Sequence, residues 1–74
     1  MYKEIKYLLK QNGFDDDISF VTESVSDKIQ YISIYYPSIL LYSKVESIKK
    51  ILHSYNVNVY SNVNIECVII KLIE

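Results

Sequence analysis

Cys67 and His53 are the two side chains in this 74-residue sequence best suited to act as nucleophile and base. Cys67 lies within the apolar run Ile65 to Ile73. Burial there raises a thiol's pKa and quenches its reactivity. His53 falls where a helix is predicted to end, a position that caps a carbonyl and complements the helix dipole. No third group is in view to orient the pair. Both are read as structural, no catalytic residue is assigned, and the chain is expected not to be an enzyme.

Asp15, Asp16 and Asp17 form the densest carboxylate cluster. A calcium loop needs spaced oxygen ligands, a glycine turn and a distal glutamate, and this triplet has none of them. With one cysteine and one histidine there is also no zinc set. Gly13 is the lone glycine, so no glycine-rich phosphate cradle exists. No metal or cofactor is therefore expected. The triplet reads as a solvated acidic knuckle suited to a basic partner.

Lys44, Lys49 and Lys50 lie on or near one side of a predicted helix, the pattern of an ordinary charged solvent face. All eight basic residues are lysine, and the net charge is −1. Nucleic-acid binders carry a basic face and commonly read bases with arginine. The order helix, strands, helix resembles that of the double-stranded RNA-binding domain. That family starts its second helix with a basic cluster, whereas here Ser43-Lys44-Val45-Glu46 places an acid in the first turn. The function is not carried over, and nucleic acid is not expected as a partner.

The eight tyrosines are the most informative surface feature. Tyr2, Tyr31, Tyr35, Tyr42 and Tyr55 have core explanations in the pattern of spacing. Tyr7, off its helix stripe, and Tyr36 and Tyr60, at strand ends, do not. Tyrosine suits interfaces because it buries a large rigid ring and keeps a hydroxyl. Asp15, Asp16, Asp17, Tyr7, Tyr36 and Tyr60 are accordingly the candidate partner-binding residues.

These side chains must be positioned by a small scaffold. A chain of this length buries only roughly 60–65% of its unfolded surface. With no disulfide or metal to staple it, dense packing or a second subunit has to compensate. Tyr2, Ile5, Leu8 and Leu9 form a helical stripe over residues 2–12, closed by Gly13 with Phe14 folded back. Residues 18–25 and 28–36 read as a hairpin turning at Ser26-Asp27, with Thr22 opposite Tyr31. That register makes Ile18, Phe20, Ile29, Tyr31 and Tyr35 the core face. Ile39 to Tyr42 reads as a short strand or an extended lead-in. Ser43 and Glu46 form a capping box that starts a helix running to Ser54 or Tyr55, with Lys44 facing solvent. Val57 to Tyr60 and a strand ending at Ile73 form a second hairpin around Ser61-Asn62. The run Ile65 to Ile73 reads as an inner strand, or, if it lies at an edge, as the binding surface.

The expected fold is one α+β domain over residues 1–74, a two-layer sandwich of two helices on one face of a four- or five-stranded antiparallel sheet. There is no membrane-length apolar run and no signal-peptide pattern, and a lone thiol suits a reducing compartment, so a cytoplasmic setting is expected. High Ile, Asn, Lys and Tyr with no Ala points to an AT-rich gene of a bacterium, phage or mobile element. The functional expectation is a small protein-binding module, in its narrower form a phage or mobile-element inhibitor of a host enzyme of the anti-CRISPR type. A structural homo-oligomer such as a homodimer, with an exposed sheet face or edge pairing across a two-fold, is the alternative, and a nucleic-acid-binding module ranks behind it.

Overall fold

The computed structural model describes residues 2–14, 21–26 and 29–73. It is a small α+β fold: helix α1 (Tyr2–Gln11), strands β1 (Val21–Ser26) and β2 (Ile29–Tyr35), helix α2 (Ser38–Ile51), and strands β3 (Val57–Asn62) and β4 (Cys67–Ile73). The sheet is antiparallel, in spatial order β1-β2-β4-β3. Cys67–Ile73 of the apolar C-terminal run thus lies between two strands, β2 and β3.

Helix α1 ends as its sequence dictates. Gly13 takes a left-handed φ of 85°. The Gly13 N–H donates to Lys10 O at 3.1 Å and the Phe14 N–H to Leu9 O at 3.0 Å. This is the Schellman pair of bonds, and Phe14 is buried in one cluster with Leu9.

Helix α2 starts five residues before the expected capping box. Pro37 precedes its first turn with φ −56° and ψ 145°, a conformation the pyrrolidine ring favours. The residues expected as a strand or lead-in, Ile39 to Tyr42, are helical. Ser43 therefore lies inside the helix. Its Oγ donates to Leu40 O at 3.1 Å, and Glu46 pairs with Lys49 at 3.8 Å, so the capping box is not formed. The buried stripe becomes Leu41, Val45 and Ile48, with Leu52 following at the C-cap. Tyr42, read as core, is 78% exposed because it falls off that stripe. Lys44, expected in solvent, is half-buried and lies 5.4 Å from the Phe14 ring centroid and 5.1 Å from that of Tyr36.

The first hairpin also departs from expectation by one step. Thr22 stands opposite Ile32 and Glu23 opposite Tyr31, with a bulge between Ser24 and Ser26. Ser26 pairs with Ile29, so it belongs to the strand and not to the turn. Ile32, Ile34 and Tyr36 are buried in the core, while Tyr35 is exposed and Tyr31 half-buried. The face assignment is reversed: the purely apolar isoleucines go inward and the tyrosines keep their hydroxyls near water. Ile18 and Phe20 lie outside the described residues.

The second turn lies later than read. Ser61 and Asn62 are in β3, and the turn spans residues 63–66. One hydrophobic cluster joins Ile5 and Leu9 of α1, the α2 stripe, and Ile32, Ile34, Val59, Val68, Ile70 and Leu72 of the sheet. Alternate sheet residues thus face the helices, and their neighbours form the opposite face.

Candidate functional site

The opposite face of the sheet can be built from the strand register. Tyr31 aligns with Lys71 and Asn58, Ser33 with Ile69 and Tyr60, and Tyr35 with Cys67 and Asn62. Lys71 Nζ sits 6.0 Å from the Tyr31 ring centroid, which places its charge over the aromatic face. Among the described residues no helix covers this surface.

This face meets the helix layer where β2 runs into α2 and β3 turns into β4. Glu66 organises that junction. Its φ is 48°, a left-handed value unusual for a branched-free acidic side chain. The conformation presents its carboxylate to the start of α2, where Oε2 accepts from the Ser38 N–H at 3.1 Å and the Ser38 hydroxyl at 3.2 Å. An anion at a helix N-terminus complements the dipole and satisfies an orphan donor. The Glu66 backbone carbonyl also accepts from the Tyr36 N–H at 3.1 Å, extending the β2–β4 ladder. Around this junction stand exposed apolar side chains: Tyr35, Ile39 (89% exposed), Leu40, Val63 (65%) and Ile65 (52%). A shallow cleft between them is lined by Tyr35, Tyr36, Pro37, Ile65 and Glu66.

The residues singled out from the sequence are scattered. Tyr60 is on the open sheet face and partly exposed. Tyr7 is exposed on α1, among Lys3, Lys6 and Lys10, and its hydroxyl accepts from Gln11 Nε2 at 2.9 Å. Tyr36 is only 5% exposed and packs in the core, reaching the surface only where it lines the shallow cleft. Asp15, Asp16 and Asp17 lie outside the described residues. The exposed cluster at the β2–α2 junction escaped sequence reading because Ile39 and Leu40 looked extended; the signal that identifies it is Pro37-Ser38 as a helix start.

The Cys67–His53 pair is not assembled. Cys67 is fully buried in β4, and desolvation pushes its thiol pKa up. His53 follows α2, with Nδ1 3.0 Å from Lys50 O, and lines a cavity with Val57, Asn58 and Val59. Those strand residues align with Leu72 to Ile70, roughly 10 Å or more along β4 from Cys67. Among the described residues no group of three His, Cys, Asp or Glu side chains converges to hold a metal, and no helix is long and apolar enough to cross a membrane. No protein-family model, curated protein or solved structure matches the chain.

Proposed function

We propose that this chain is a non-enzymatic protein-binding module that engages its partner through the junction of β2, α2 and the β3–β4 turn. The exposure of Tyr35 and Ile65 on one shallow cleft, with Ile39 and Val63 exposed on the helix start and the turn that meet there, carries this reading. Clustered apolar surface of this kind on a small fold marks an interaction site. Tyr35 adds a rigid aromatic anchor, and Glu66 fixes the cleft by binding both the turn and the helix. The fold behind it is read as a two-layer sandwich with both helices over one sheet face. In its narrower form, resting on composition alone, the module is a phage or mobile-element inhibitor of a host enzyme.

The test is paired affinity capture from a bacterial host lysate, using the wild-type chain and an Ile39→Asp, Ile65→Asp double variant of unchanged circular dichroism. A stoichiometric protein retained by the wild type and lost from the variant is the expected result. Equal retention by both chains would move the binding surface elsewhere, and retention by neither would sink the reading.

A further inference from the structure

Independently of what the junction binds, we propose that the outer edge of β3 pairs with the β3 of a second copy of this chain, antiparallel, about a two-fold axis at Tyr60. Three observations carry this. The first is the direction of the backbone groups. The Ile73 N–H donates to Asn56 O at 3.2 Å, one step beyond the Val57–Leu72 pair. Even-numbered residues of β3 therefore turn their backbone groups to β4, and odd-numbered ones turn theirs out of the sheet. The Val57 N–H donates to Tyr55 O at 3.0 Å, which leaves the groups of Val59 and Ser61 at the centre of the edge.

The second observation is that the strand itself carries none of the usual guards; Lys49 of α2 is a cation near it, lining a cavity with Val57, Asn58 and Val59. Residues 56–64 read Asn-Val-Asn-Val-Tyr-Ser-Asn-Val-Asn, with no charge, proline or glycine. Soluble proteins commonly blunt an edge with lysine, proline or a bulge.

The third observation identifies the occupant. The same nine residues are close to a palindrome about Tyr60, and residues 58–62 of it lie within β3. A two-fold interface brings residue i against j and j against i, so a strand that reads alike in both directions is complementary to itself. Two odd residues must meet in each hydrogen-bonded pair, which restricts the register. The register centred on Tyr60 sets Val59 against Ser61 of the second copy, exchanging backbone bonds in both directions. It sets Asn58 against Asn62, amide to amide. Asn62 Oδ1 already accepts from its own Asn64 N–H at 3.1 Å, so Nδ2 is the donor that Asn62 would bring to Asn58. At the centre the two Tyr60 rings meet on the open sheet face in a non-hydrogen-bonded pair, where side chains approach most closely. The two sheets then run on as one. The contact is short, so the dimer is weak and populates at high chain concentration.

Charge exchange at the axis tests this directly. Sedimentation equilibrium on the full chain should show concentration-dependent dimer. Tyr60→Lys and Tyr60→Glu should each be monomeric, because each puts like charges face to face. An equimolar mixture of the two should restore dimer at least to the wild-type level. Circular dichroism on each variant checks that β3 stays folded. A wild type that remains monomeric at millimolar concentration, a single variant that dimerises like the wild type, or a mixture that stays monomeric would each overturn the proposal.

Discussion

The two edges of the sheet make opposite use of the same architecture. β1 is interrupted by a bulge between Ser24 and Ser26 and carries Glu23. A bulge disrupts the ladder and increases local twist, and a charge on an edge opposes pairing with a like strand. β3 is six residues without charge or bulge, with Val59 and Ser61 turning backbone groups outward. One edge is protected against addition of another strand and the other invites it. Apolar content does not distinguish them, since both are mixed polar and apolar strands. The difference lies in where charge and backbone irregularity are spent.

The comparison can be broken at several levels. The largest effect is expected from Ile70→Ala. Ile70 is fully buried in β4, between Ile32 and Val59, and ties β3 to the rest of the sheet. Removing a buried isoleucine side chain beyond Cβ costs about 2–5 kcal/mol, to be read as a lowered urea midpoint, and both edges should be lost together. Next comes exchange of the guards. Ser61→Lys gives β3 the charge it lacks and should weaken self-association about tenfold or more, whereas Glu23→Gln on β1 should leave it unchanged. Equal effects in light scattering would erase the distinction between the edges.

A smaller effect is expected at the junction. Glu66→Ala removes the acceptor for Ser38 and should cost about 1 kcal/mol in chemical denaturation, the size of a lost helix cap. The smallest concerns Cys67, whose folded pKa is raised above 9.0 by desolvation. The unfolded thiol ionises first, so the unfolded state binds fewer protons above pH 9.0 and stability should fall as pH rises through that region. Below it, Cys67 contributes no pH dependence. A thiol reagent should label Cys67 only on unfolding, and fast labelling of the native chain would show that the end of the sheet beside the β3–β4 turn opens.

Much of the fold was legible wherever the determinants are local. Ile5, Leu8 and Leu9 of the α1 stripe and the Gly13–Phe14 stop are set by neighbouring residues and form as read. The C-terminal run left inner and edge placement open, and its residues Cys67–Ile73 lie between β2 and β3. The misreadings trace to contacts distant in sequence. The start of α2 is capped by Glu66, 28 residues away, so its one local signal, Pro37-Ser38, was outweighed by Ser43 and Glu46, which acted as a decoy. The one-step register error in the first hairpin exchanged the places of Ile32 and Tyr31, because a period of two makes every slip a change of face. Of the candidate binding residues, Tyr7 and Tyr60 are at the surface, Tyr36 is in the core, and the exposed Ile39 was hidden by the misplaced helix start.

The Glu66 cap also bears on the order in which the molecule assembles. α2 makes no side-chain cap from its own N-cap residue, and its first turn is completed only when the β3–β4 turn arrives. Closing that loop carries an entropic cost that a helix capped from within its own sequence avoids. The interaction therefore belongs late in folding, absent from the transition state and present in the native state. Its removal should leave the refolding rate almost unchanged and accelerate unfolding, so the carboxylate acts as a latch on the lifetime of the folded chain.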